Sequence, residues 1–315
     1  MKRRFVLAAL ATPGLALAQE QVLRIIIPFP PGGPADTIAR LLERPLRASL
    51  GQAVVLDYRS GAGGVVGMEA VARARPDGNT IGLGSTGALV IAPHIMPRMP
   101  YDPMRDLAAV TEVLAVPQLL VVPAAFPAHD MAALVAMARA APGSIAYASA
   151  GIGSSLHLAA ELFRQKAGIT ITHVPYRGAA PAITDLVAGR VQMMLGDVTG
   201  LLAQVQGGAL RALGITAAAR FSGLPDVPTI AEAGIEGVIS DTFYGVLAPA
   251  GVPAGRITAL AAALRGALAE PDTRAALAGQ GGNIIGSTPE DFAARLRISS
   301  ARWAEVVQAG QIRME

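Results

Sequence analysis

The chain has 315 residues, of which 26 are Lys or Arg, 23 are Asp or Glu and none is Cys. The formal charge of +3 equals the contribution of Lys2, Arg3 and Arg4, so the rest of the chain carries 23 charges of each sign and offers no excess basicity for nucleic acid. The lack of cysteine excludes disulfides, thiolate catalysis and cysteine-rich metal sites, and 52% apolar residues describe a globular chain, not a disordered one.

The first element is a leader. Lys2-Arg3-Arg4 is followed by the apolar run Phe5–Leu15 and by Ala16-Leu17-Ala18, an A-x-A cleavage site ahead of Gln19. This is the three-part layout of a secretory signal peptide, cleaved after Ala18. The run is broken by Pro13 and Gly14, and a bilayer core needs about 20 apolar residues. The pattern around Arg3-Arg4 is incomplete for twin-arginine export, so the general secretory route and a periplasmic location are expected. About 300 mature residues exceed what one core usually organises, so two domains are expected.

After the leader, apolar runs alternate with helical stripes. Val22–Phe29 reads as a buried strand. A helix over Thr37–Leu50, with Ile38, Leu41, Leu42 and Leu46 on one stripe, should be bent or split at Pro45. Strands follow at Val54–Tyr58 and Ile81–Gly84, with a helix over Gly64–Ala74 between them that ends at the Pro76-Asp77-Gly78 turn. Farther along, strands read at Gln118–Val122, Ile145–Ala148, His173–Pro175, Val191–Leu195 and Leu210–Ile215. Helices read at Asp130–Ala141, Ser155–Ala167 and Pro181–Ala188. From Gly255 the chain becomes helical, and Ser287-Thr288-Pro289-Glu290 reads as a capping box for the last helix. The rhythm predicts a mostly parallel sheet with helices on both faces. Crossings between domains are expected near Val113–Pro123 and Ser240–Pro249.

Two loops stand at strand ends. In Pro28–Asp36 the prolines stiffen the chain, and Gly32-Gly33 let backbone approach a guest. Ala148–Ser155 also runs from a strand into a helix. Each aims N–H groups and a helix dipole beyond the sheet, where ligands of open α/β sheets bind. Ser85-Thr86-Gly87 offers hydroxyls at an equivalent place. His157 lies one turn into the helix after Ser154 and lines the cleft or serves the fold. Asp197 is either an acceptor for a ligand's ammonium or hydroxyl group, or a helix N-cap. Arg177 either pairs with a carboxylate or, as is commoner for such a residue, ties its loop to the surface.

Sharper motifs fail. Gly61–Gly67 approximates a dinucleotide fingerprint, but the acid expected after the next strand is missing. There is no G-x-S-x-G elbow, and His94, His129, His157 and His173 lack metal-ligand spacing. No cofactor or metal is expected.

At these residues the chain resembles the substrate-binding proteins of the tripartite tricarboxylate transporters, the Bug family. The resemblance runs through Pro28–Asp36 with Ala39-Arg40, Pro76-Asp77-Gly78, Tyr101-Asp102-Pro103, Ala148–Ser154 and His173–Gly178. It continues through Asp185–Gly189, Leu224–Thr229 and Glu232-Ala233-Gly234. It implies an α/β, two-lobed periplasmic-binding-protein fold (a Venus flytrap, type II-like) with a ligand cleft between the lobes. Residues 1–18 would be the leader, 19–120 with 244–315 one lobe, and 121–243 the other.

The implied function is capture of a small carboxylate (a dicarboxylate, tricarboxylate, acidic amino acid or aromatic acid) by a monomer without catalysis, for a membrane transporter or a sensor protein. The expected ligand-binding residues are Phe29, Pro30, Gly32, Gly33, Asp36, Ser85, Thr86, Ser149, Gly153, Ser154, His157, Asp197 and Phe243. Phe243 stands where the family commonly has tryptophan, and Asn79 replaces a frequent tyrosine, so a known member's ligand does not transfer. Two other readings remain: an exported α/β enzyme acting on a small organic acid, and a scaffold that binds protein through an exposed apolar patch.

Overall fold

The computed structural model describes residues 22–279 and 281–314; the leader and its cleavage site lie outside them. In chain order the first elements are β1 (Val22–Ile27), α1 (Pro34–Leu50), β2 (Ala53–Tyr58), α2 (Val65–Ala72), β3 (Thr80–Ser85) and α3 (Ala92–Ile95). The middle holds β4 (Leu107–Pro123), α4 (Met131–Ala140), β5 (Ala146–Ser149), α5 (Ser155–Ala167), β6 (Thr172–Pro175), α6 (Ala179–Val187), β7 (Met193–Asp197), α7 (Val198–Gln206) and β8 (Leu210–Ile215). The chain closes with β9 (Asp241–Pro249), α8 (Ala254–Ala269), α9 (Pro271–Ala278), β10 (Asn283–Ile284) and α10 (Pro289–Gly310).

β1 lies parallel to β2 and β3, and its apolar side chains serve both faces. Leu23, Ile25 and Ile27 join the core of Ile38, Leu42 and Leu46 from α1, while Ile26 joins Met68 and Val71 of α2. That is why this strand shows no apolar–polar alternation. α1 begins at Pro34, three residues before the expected start, and runs unsplit through Pro45 to a left-handed Gly51.

The strand order is β2-β1-β3-β9-β4-β7-β5-β6, with β8 and β10 pairing to β4. The sheet is mixed, which corrects the expectation of a mostly parallel one: β4 is antiparallel to β7, β8, β9 and β10. β4 is 17 residues long and changes partners along its length. Leu107 to Pro117 pair with Pro249 to Asp241 of β9, and from Gln118 onward β4 pairs with β7 and β8. β4 and β9 thus form one antiparallel ribbon carrying the chain between the two halves of the sheet. The change of partner falls between Pro117 and Gln118, a few residues before the 120/121 division read from sequence.

Arg295 of α10 clasps this ribbon. Its Nη2 is 2.6 Å and 2.7 Å from the two carboxylate oxygens of Asp241, and its Nε is 3.9 Å from Glu112 Oε1. Burial pushes the Glu112 carboxyl up to about 7, against the pull of Arg295 and with help from Asp241. α10 is capped by Thr288, whose hydroxyl accepts from Asp291 N at 3.1 Å and donates to Asp291 Oδ2 at 2.8 Å. The reciprocal pair is therefore one residue later than Ser287 and Glu290.

The last helix also reaches the second half of the molecule. Leu158 and Leu162 of α5 share a core with Trp303, Val306 and Val307 of α10, and Gln165 Nε2 donates to Val306 O at 3.1 Å. After α10 the chain turns through Gln311 (φ 52°), buries Ile312, and donates Met314 N–H to Ile95 O at 3.0 Å.

Candidate functional site

A cavity of about 500 Å³ lies where strand ends from both halves of the sheet converge. It is lined by Phe29, Pro30 and Pro34 after β1 and by Ser85 and Gly87 at the end of β3. From the β5–α5 loop the lining residues are Ala150, Ile152, Gly153, Ser154, Ser155 and Leu156. Arg177, Gly178 and Ala179 after β6, Asp197 at the end of β7, Thr242 and Tyr244 of β9, and Ile95 and Met314 extend the wall. A second hollow, of about 440 Å³, is built from α3, the 99–105 loop and Ser300, and no strand end lines it.

The N-termini of α1, α5 and α6 all meet the first cavity, through Pro34, Ser155 with Leu156, and Ala179. In α5 the Ser154 hydroxyl accepts from His157 N at 3.2 Å, and Leu158 N donates to Ser154 O. The N–H groups of Ser155 and Leu156 precede the first intrahelical bond and face a cavity-lining turn. Arg177 is the one cationic side chain among the described lining residues, and it is exposed. Helix N-termini and an arginine favour an anion.

The expected site residues divide by strand parity and by the bonds they already make. Phe29, Pro30, Ser85, Gly153, Ser154 and Asp197 line the cavity. Ser85 pairs with Tyr244 across the β3–β9 ladder, so both present side chains to the same face. The next residues face the other way. Thr86 Oγ1 accepts from Phe243 N at 2.8 Å, and Phe243 is fully buried, edge-on to Phe292 at 6.0 Å. Phe243 is thus a core residue, and its neighbours Thr242 and Tyr244, which the sequence reading did not single out, reach the cavity.

Asp36 supports the first loop from beneath. Its carboxylate accepts from Gly32 N at 2.8 Å, Arg40 Nε at 2.8 Å and the Tyr58 hydroxyl at 2.5 Å, and these bonds, that of Tyr58 foremost, hold its pKa below the usual carboxylate range. Gly32 (φ 89°) therefore gives its N–H to Asp36, and Gly33 is the N-cap position of α1; neither lines the cavity.

The second loop has a comparable support. Ser149 Oγ lies 2.7 Å from His173 Nε2 and accepts from Gly151 N at 3.1 Å, and His157 Nδ1 accepts from Gly153 N at 3.2 Å. The two imidazoles stack at 4.0 Å, and His173 stacks on Tyr147 at 4.8 Å. Burial, with His173 alongside, pushes His157 down to about 3, so it stays neutral and keeps Nδ1 as an acceptor. Ser149 and both histidines shape the loop from behind the cavity wall.

Asp197 occupies the N-cap position of α7 without making a side-chain cap bond. Its Oδ1 accepts instead from Thr242 Oγ1 at 2.7 Å. Burial pushes its carboxyl up to about 7, against the hydrogen bonds from Thr242 and Gln118.

Comparison with known proteins places this geometry. A protein from Pseudomonas sp. (strain P51), "UPF0065 protein in tcbD-tcbE intergenic region", is 43% identical over 90% of this chain and 84% of its own. Protein BugT of Bordetella pertussis is 37% identical over 91% of this chain and 88% of its own. Among solved structures, R. palustris Rpa4515 with adipate is 33% identical (TM-score 0.83; 92% of this chain, 97% of that one). The periplasmic binding protein BugD is 30% identical (TM-score 0.82; 94% and 99%). MatC from Rhodopseudomonas palustris with bound malate is 31% identical (TM-score 0.81; 91% and 98%). The two-lobed solute-binding fold is common to them. Residues 38–312 match the model of the tripartite tricarboxylate transporter family receptor, and the chain belongs to that family.

Proposed function

We propose that this protein is a periplasmic receptor that captures a small carboxylate between its lobes and presents the closed form to a membrane transporter or a sensor. The observation that carries the reading is the convergence of three helix N-termini and Arg177 on one cavity. That set of donors suits a carboxylate without a dedicated buried cation. The adipate and malate of the related structures are acids of this class. The Lys2–Ala18 leader supports export, with 19–120 and 244–315 in one lobe, 121–243 in the other, and the chain acting as a monomer.

Binding shifts the lobes toward closure by the ligand's greater affinity for the closed form, and no bond is made or broken. Isothermal titration against di- and tricarboxylates, acidic amino acids and aromatic acids tests this. Saturable heat for at least one acid is expected; a folded protein that binds none of them overturns the reading. Mass spectrometry of the bound acid after incubation should recover it unchanged, and turnover would favour an enzyme.

A further inference from the structure

The cavity is anion-seeking at one side and carries an acid at another. Asp197 is the one acidic side chain among its described lining residues. A carboxylate in a site that attracts carboxylates is unfavourable unless the guest offers something to it.

The hydrogen-bond directions around Asp197 say what that is. Thr242 Oγ1 has one proton and three neighbours: Asp197 Oδ1 at 2.7 Å, Ser155 Oγ at 2.7 Å and Gln118 Nε2 at 3.3 Å. The amide nitrogen of Gln118 can only donate, and it donates to Thr242 beside its bond to Asp197. The carboxylate can only accept while ionised, so the Thr242 proton goes to Asp197 and the Ser155 proton goes to Thr242. The chain of donors therefore runs toward Asp197, which is arranged as an acceptor. Gln118 itself is fully buried and does not line the cavity, so Asp197 is the acceptor that a guest can reach here.

We propose that the captured carboxylate also bears a hydrogen-bond donor, an ammonium group in preference to a hydroxyl, which Asp197 receives. An ammonium donates to the acid and neutralises it as well, whereas a hydroxyl donates one proton and brings no charge. Arg177, exposed at one part of the wall, and Asp197, half-buried at another, are the one cationic and the one acidic side chain among the described lining residues. The near-neutral pKa of Asp197 agrees with a carboxyl that its surroundings alone do not keep fully ionised. The proposal rests on the carboxylate-receptor reading and refines it.

The test compares acids that differ only in the donor. Succinate, malate and aspartate, then glutarate, 2-hydroxyglutarate and glutamate, are titrated into the unmodified protein and into Asp197→Asn. The amino acid of a set should bind roughly tenfold to a hundredfold more tightly than its donor-free partner, with the hydroxy acid between them. Asp197→Asn should erase most of that preference, and the donor-free acid should bind at least as tightly as before because a like charge has been removed. The proposal is overturned if a donor-free acid, adipate included, binds at least as tightly as its amino and hydroxy analogues, or if Asp197→Asn weakens all members equally. Both outcomes leave the carboxylate reading intact, whereas absence of binding by every acid removes that reading itself. The comparison on unmodified protein stands even if the variant does not fold.

Discussion

Replacing Gly153 with alanine separates what the loop costs in folding from what it costs in closure. Gly153 has φ +77°, and a Cβ there would lie 2.2 Å from Ile95 Cδ1 on the opposite side of the cavity. The left-handed backbone penalises an L-residue by roughly 1–2 kcal/mol whether or not the lobes are together. In the proposed closure of the lobes the contact with Ile95 belongs to the closed form, and overpacking of this kind costs about 1–3 kcal/mol. The lower end applies because Ile95 Cδ1 is the flexible end of its side chain. Gly153→Ala should therefore lose a few degrees in Tm and, separately, about tenfold in ligand affinity, since about 1.4 kcal/mol corresponds to tenfold.

Ile95→Val removes only the offending methyl. In the double variant the affinity should return to within about threefold of wild type while the Tm loss remains, a coupling read by calorimetry in a double-mutant cycle. Wild-type affinity in Gly153→Ala, or a loss that Ile95→Val does not repair, would refute the reasoning.

Two further substitutions test other assignments. Phe243→Leu should lower stability by on the order of 1–3 kcal/mol in denaturant melts yet leave ligand affinity within about twofold; a large affinity loss at unchanged stability would return Phe243 to the ligand wall. Glu112→Gln addresses the buried acid held near Arg295. Because its folded pKa is raised to about 7 from 4.5, the native state prefers the protonated form, and wild-type stability attributable to this group is lost as pH rises between those values. The variant should match wild type near pH 4.5 and exceed it by on the order of 3 kcal/mol above pH 7; a pH-independent difference in melting would contradict this.

Much of the fold was legible in residues that act locally. α5 and β8 occur at Ser155–Ala167 and Leu210–Ile215 as expected, because Ser154 and Gly168 cap the helix and Gly207-Gly208 precede the strand. The first half of β4 was not legible. Ala108, Ala109, Thr111 and Glu112 give no strong strand pattern, and the strand is held by β9, distant in sequence. At the site, the strand-end loops were readable but the phase of the strands was not. A shift of one residue decides whether Ser85 or Thr86, and Tyr244 or Phe243, faces the cavity. Asp197 could be read as a ligand acceptor or a cap; it stands at the N-cap position of α7, but its side chain bonds Thr242, distant in sequence, in place of the helix. Met314 gave no local signal, because its place depends on where α10 ends.

The tail after α10 bears on how the protein can be handled. Met314 is tied to Ile95 and forms part of the cavity wall, so a purification handle or fluorophore joined behind it would leave from the edge of the cavity. A label there would sense whatever enters the cavity and crowd its rim. The start of β1 is the quieter attachment point: the carboxyl ends of the strands face the cavity, and Val22 lies at the opposite end of its strand.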